Sequence, residues 1–130
     1  MSGFSDTLGI AASGMQSQTA RLRLLSENIA NADTPGYRRK TASFEPYPTS
    51  RMPDGAVQIG RVRLDQTDLT EIYDPSHPMA GADGSYEGSN VDLVVEIADA
   101  REAQRSYEAN LRVFDQVRQM SSALNELLRR

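Results

Sequence analysis

The sequence predicts a mainly α chain with a small β insert, its long N- and C-terminal helices packed as an antiparallel coiled-coil-like pair. Three observations predict this. A seven-residue apolar repeat runs through the first thirty or so residues, and no Gly or Pro occurs from Asn90 to the C-terminus. Between these zones helical periodicity is lost and Pro46, Pro48 and Pro53 interrupt the chain.

The first zone, about Gly3 to Ala32, places Leu8, Met15, Leu22 and Ile29 seven residues apart, with Phe4, Ala11, Leu25 and Ala32 at the complementary positions and Gln18 as the polar member. That spacing makes a seam on one side of a helix. Thirty helical residues would span roughly 45 Å, too long and thin to be stable alone. Gly9 and Gly14 weaken the helix by about 1 kcal/mol each relative to Ala, and Ser5, Ser13, Ser17 and Thr19 add further penalties. Small residues from Ala11 to Gly14 allow another backbone to approach. The segment is therefore expected to order on packing. Asn31 and Asp33 suit a helix end, and Thr34-Pro35-Gly36 predicts a turn with Pro at its first corner and Gly at its second.

In the middle zone, about Tyr37 to Ser89, alternation from Val57 to Leu64 predicts a strand with a bulge near Gly60. Tyr37–Phe44 and Leu69–Tyr73 are weaker strand candidates, giving two or three strands followed by an irregular loop from Asp74 to Ser89. The last zone starts with Ser89 or Asn90 as a helix cap and Asp92 at the positive end of the dipole. Leu93, Ile97, Ala100, Tyr107, Leu111, Phe114, Val117, Leu124 and Leu128 follow in three- and four-residue steps. Val113, Met120 and Leu127 lie beside that seam, more apolar surface than one partner helix covers, which points to neighbouring subunits. Asn28 and Asn31, with Gln18 and Gln104, are polar residues in apolar zones; Asn28 can bond across helices and set register, whereas Asn31 suits a helix end.

Composition narrows the function. A net charge of −4 with acids and bases interspersed lacks the concentrated basic surface that nucleic acid requires. Arg38-Arg39-Lys40 is too small a footprint to change that. Cysteines are absent, which removes disulfides, thiolate metal sites and a cysteine nucleophile. No stretch is long enough for direct membrane insertion, and the start has neither a charged n-region nor an unbroken apolar run, so no cleaved signal is expected. His77, the lone histidine, is flanked by Pro75 and Pro78 and suits a turn better than general-base work. Asp92, Glu96 and Asp99 share a helical face but lack nearby His, so solvent or Arg partners are expected before a cation. Ala82-Asp83-Gly84-Ser85 is too short for a calcium loop. No catalytic, cofactor or metal site emerges, and the chain is not expected to be an enzyme.

Two groups of residues carry a resemblance. Ser13-Gly14-Met15, Gln18, Arg21-Leu22 and Ser26-Glu27-Asn28-Ile29-Ala30-Asn31-Ala32 resemble the N-terminal signature of bacterial flagellar rod and hook proteins. Asn90-Val91-Asp92, Glu96 and Arg105-Ser106-Tyr107-Glu108-Ala109-Asn110 resemble the C-terminal one. Tyr73-Asp74-Pro75-Ser76-His77-Pro78 with Asp83-Gly84 is similar to the proximal-rod members in particular. The β zone from about Phe44 to Val62 carries little of the likeness, and Ile97 with Ala100-Arg101-Glu102-Ala103 departs from a stretch that is often methionine-rich in relatives.

The resemblance implies a structural subunit of the periplasmic rod of the flagellar basal body. It implies export through the flagellar type III apparatus, and partnership with other copies of itself and with other axial proteins. It also implies an inner axial-core domain made of residues 1–36 and 90–130, with 37–89 outside it. Together with the seams it makes Leu8, Met15, Leu22, Leu25, Asn28, Ile29, Asn31, Asn90, Asp92, Ile97, Tyr107, Asn110, Leu111 and Phe114 the expected assembly interface. The alternative is a cytoplasmic coiled-coil adaptor built on the same seams.

Overall fold

The computed structural model describes residues 2–48 and 50–130, so Met1 of the start segment lies outside the described residues. Two helices, α1 (Ser2–Ala30) and α2 (Leu93–Leu128), bracket six short strands: β1 (Lys40–Thr41), β2 (Phe44–Pro46), β3 (Val57–Ile59), β4 (Arg63–Leu64), β5 (Glu71–Tyr73) and β6 (Ser85–Glu87).

The helices pack antiparallel. Asn28 bonds to Glu96 near the end of α1 and the start of α2. Further along, Arg21 faces Asp99 and Glu102, Gly14 lies against Asn110, and Phe4 and Thr7 share a hollow with Val117 and Met120. From Asn28 to Gly14 and from Glu96 to Asn110 the two helices advance by equal lengths, so they stay in register. Gly14 is a point of close approach, since a Cβ there would stand 2.8 Å from Asn110 Nδ2. The glycine that weakens α1 locally thus lies where the Asn110 side chain of α2 packs closely. Gly14→Leu is expected to destabilise the chain by about 2 kcal/mol through overpacking. In Gly14→Ala, better helix propensity should offset most of the cost of moving the Asn110 side chain. Denaturant titration of both variants checks this, and equal stabilities would count against a tight contact.

A second face of α1 holds the insert. The Val57 N–H donates to Ser13 Oγ (3.1 Å) and Ser17 Oγ donates to the Val57 carbonyl (3.3 Å), so two helix hydroxyls satisfy both backbone groups of one β3 residue. Ser13 Oγ also donates to the Ile10 carbonyl. Pro53 lies over Gly9, and the buried Ala56 precedes the strand. These serines lower helix propensity, but the segment they dock would otherwise leave polar groups unpaired.

The expected long strand from Val57 to Leu64 is two strands. β3 pairs antiparallel with β2 and β4 with β1, in separate two-stranded ladders. The break falls at Gly60, whose N–H donates to the Ser43 carbonyl (2.7 Å) and where a Cβ would meet Glu45 Oε1 at 2.5 Å. That close crossing turns the chain before a second ladder begins. The irregular loop expected from Asp74 to Ser89 also needs correction, because Ser85–Glu87 pairs with Glu71–Tyr73. Three residues are too few to show a period.

The helix ends differ in how far they follow expectation. Tyr37 N–H donates to the Thr34 carbonyl (3.1 Å) and Gly36 has φ +76°, as the predicted Thr34-Pro35-Gly36 turn demands. Asn31 Nδ2 donates to the Glu27 carbonyl (2.9 Å), closing the end of α1. At α2, however, the cap is Asp92, which accepts from the Val94 N–H. Ser89 instead donates to the Ala32 carbonyl, and Asn90 accepts from the Arg39 N–H (2.7 Å). Both supposed caps tie α2 to the segment after α1.

Only Ala11, Leu25, Ala56 and Ala103 form the buried apolar core of the described residues. Their small total apolar surface leaves much of the fold's specificity to buried polar groups.

Candidate assembly interface and its polar anchor

Asn28 and Glu96 are both fully buried. Asn28 Nδ2 donates to the Lys40 carbonyl (2.9 Å) and to Glu96 Oε2 (3.3 Å). Its Oδ1 accepts from the Lys40 N–H and from the Tyr37 hydroxyl, both at 2.8 Å. One asparagine therefore pairs a backbone donor and acceptor of β1 and reaches α2. Burial, reinforced by the Glu27 carboxylate, raises the Tyr37 pKa and keeps its hydroxyl a donor.

Glu96 is a buried carboxylate with a donor on each oxygen. Arg39 Nε donates to Oε1 at 2.6 Å while Asn28 serves Oε2. Arg39 also reaches Asp65 Oδ2 through Nη1 (3.3 Å). Burial works against the charged guanidinium, but its hydrogen bond to Glu96 and the two carboxylates outweigh that and raise its pKa. Asp65 is held below the ordinary carboxylate value, first by hydrogen bonding to Thr67 and then by Arg39. Asn90 Nδ2 donates to the Asp65 and Thr67 carbonyls (3.0 and 3.2 Å). This network joins α1, the insert and α2 where the chain leaves one helix and enters the other. A buried charge so compensated is costly to break.

Of the expected interface, Leu25 and Asn28 are buried, whereas Leu8, Met15, Leu22, Ile29, Asn31, Asn90, Tyr107, Asn110 and Phe114 are half-buried. Asp92, Ile97 and Leu111 are exposed. The α2 face turned inward runs Glu96, Ala100, Ala103, Tyr107, Asn110, Phe114, Val117, Ser121 and Leu124, all buried or half-buried. Leu93, Ile97, Leu111 and Leu128 therefore stand outside the expected seam, because apolar spacing ignored the polar and small residues that pack inward. Gln18 is buried with Oε1 lacking a partner among the described residues, while Gln104 is exposed.

No local pattern marks Tyr37, Arg39, Lys40 and Asp65 as anchor residues. Arg39 and Lys40 stand out in the sequence only as part of a small basic cluster, and the carboxylates that Arg39 meets, Asp65 and Glu96, lie 26 and 57 residues away. Of the three carboxylates on one face, Glu96 pairs with Arg39, Asp99 lies 3.9 Å from Arg21 and Asp92 caps the helix. No group of residues suited to a metal ion occurs among those described. His77 stacks on Tyr86 with ring centroids 3.9 Å apart and accepts the Met79 N–H at Nδ1, so it serves a turn. Among the described residues no helix is long and apolar enough to cross a membrane.

A large apolar surface remains on α2. Val94, Val95, Ile97, Val113, Met120, Leu127 and Leu128 are all exposed, with Val94 at 77% and Leu128 at 73%. On the flank between the helices, Ala12, Met15, Thr19, Tyr107 and Phe114 line an open groove of about 510 Å³. A single chain buries neither.

Comparison with known proteins matches these same helices. Residues 8–38 match the family model described as flagella basal body rod protein, and residues 82–127 match that of the flagellar basal body rod FlgEFG protein C-terminal region. Asn28 and Tyr37 fall in the first match and Asn90 and Glu96 in the second, so the polar anchor joins the two. A relative from Agrobacterium fabrum, the flagellar basal-body rod protein FlgC, is 42% identical over 127 residues, covering 92% of this chain and 91% of its own. The proteins of the same name from Salmonella typhimurium and Bacillus subtilis are 33% and 30% identical, covering 85% and 88% of this chain and 87% and 91% of their own.

Proposed function

Because the chain belongs to the FlgC family of flagellar basal-body rod proteins, and so is a structural, non-enzymatic subunit of that rod, we propose that it forms the proximal rod by coupled folding and assembly. The observation that carries this mechanism is the exposed apolar surface of α2 beside a helix pair with a very small core. Rod and other axial proteins are its partners; copies of itself and the type III export apparatus are the further partners proposed. Export would occur without a cleaved signal.

In this reading residues 1–36 and 90–130 make the axial core and 37–89 project from it. The pair is coiled-coil-like, a view supported by the alternating four- and three-residue steps of the inward α2 positions. The fourteen interface residues named above take part in two ways. Half-buried positions such as Met15, Tyr107 and Phe114 would be covered on assembly, and Asn28 and Asn90 would hold the helices in the geometry neighbours meet.

Deletion of residues 1–32 tests this in a strain lacking the endogenous chain. The full chain is expected to restore motility and the deletion to restore none. Motility with the deleted chain would overturn the proposal and favour the adaptor reading.

A further inference from the structure

A shallow trough of about 590 Å³ runs along α2, lined by Val94, Ile97, Ala98, Arg101, Glu102 and Arg105. Every lining residue belongs to α2, so no other element among the described residues closes it. Arg101 and Arg105 are exposed, and neither has a carboxylate within 4.0 Å among the described residues. Glu102 faces Arg21 instead, at 3.6 Å. Four residues apart on a helix, the two arginines have Cβ atoms about 5–6 Å from each other and repel.

The β5–β6 hairpin carries the opposite arrangement. Glu71 stands directly across from Glu87 in the ladder, which places their Cβ atoms about 5 Å apart, and like charges so opposed are unfavourable. Both are exposed, without a cation within 4.0 Å among the described residues. Arg38 shares their hollow, but its Nη1 donates to the Asp65 and Thr67 carbonyls. Tyr73, two residues from Glu71 and so on the same face, is 73% exposed.

We propose that the α2 trough receives the β5–β6 hairpin of a second copy of this chain, with Glu71 and Glu87 facing Arg101 and Arg105, and Tyr73 lying against Val94 and Ile97. The charge pairs match in sign and spacing, and each would relieve the self-repulsion of the other. Beside them, an exposed aromatic ring meets exposed aliphatic side chains, the kind of anchor that carries interface energy. The contact joins two different patches, so it repeats head to tail and builds a ring or helical row rather than a closed pair. It rests on the rod-subunit reading and names one of its contacts.

Sedimentation velocity of the full chain, over a range of concentration and salt, tests the contact. Self-association is expected to weaken with salt. R101E/R105E and E71R/E87R should each weaken it about tenfold or more, and a one-to-one mixture of the two variants should recover it. R101Q/R105Q and E71Q/E87Q should give a smaller loss in the same direction without introducing new charge, and circular dichroism checks that each variant folds. A wild-type chain that stays monomeric, reversals that leave association unchanged, or a mixture that fails to recover would each overturn the contact. Complementation of motility by the wild-type chain separates the two ideas. A chain that restores motility yet does not self-associate defeats this contact and leaves the rod reading standing.

Discussion

Glu96→Ala is expected to destabilise the isolated chain by about 3 kcal/mol, the scale for removing one partner of a buried, hydrogen-bonded ion pair. The loss has two sources. The Arg39 guanidinium, held at Oε1 from 2.6 Å, loses its fully buried counter-charge, and Asn28 Nδ2 loses one of its two acceptors. Asp65 remains within 3.3 Å of Arg39 and part of the guanidinium meets solvent, which keeps the cost below that of a completely enclosed pair. Glu96→Gln preserves the shape and an acceptor oxygen, so it should lose roughly half as much. Equilibrium denaturation monitored by helix signal measures both; an alanine variant as stable as wild type would show that the anchor contributes nothing.

Asn28→Ala should cost about 2–3 kcal/mol, because it strands several polar groups at once rather than one. The Lys40 N–H and carbonyl, the Tyr37 hydroxyl and Glu96 all lose a partner. Asn28→Asp keeps the acceptor but removes the amide donor and sets a second carboxylate against Glu96, so it is expected to be at least as damaging. In a double-mutant cycle, Asn28→Ala and Glu96→Ala should be less than additive by about 1 kcal/mol, since they share a bond and a network. Strict additivity would mean that the two residues act independently.

Only part of the role of Asn28 is legible in the sequence. Its place in an apolar seam signalled a cross-helix bond, which it makes. That it also pairs the backbone of Lys40 on both sides was beyond reach, because the contact depends on how the chain doubles back after Gly36. Glu96 belongs both to the C-terminal rod signature and to a set of three carboxylates on one helical face, and nothing local distinguishes a buried carboxylate from its more exposed neighbours. Apolar spacing likewise included Ile97 and Leu111 in a seam from which they are excluded. The inward face of α2 is chosen by what α1 presents, and α1 presents Gly14, Arg21 and Asn28 as well as Leu25.

Local sequence alone accounts for the two helices, their ends near Ala30 and Leu93, the turn at Pro35-Gly36 and the polar interval between them. Each follows from local rules: apolar period, the absence of Gly and Pro, and the conformations that proline and glycine favour. Only the tertiary structure decided which faces meet, where the insert divides into ladders, and which charges are buried. Those outcomes depend on contacts between residues well separated in sequence, from Ser43 with Gly60 inside the insert to Ser13 with Val57 and Asn28 with Glu96 across elements. In a chain with so few buried apolar side chains, polar pairing selects among packings that hydrophobicity alone leaves nearly equal.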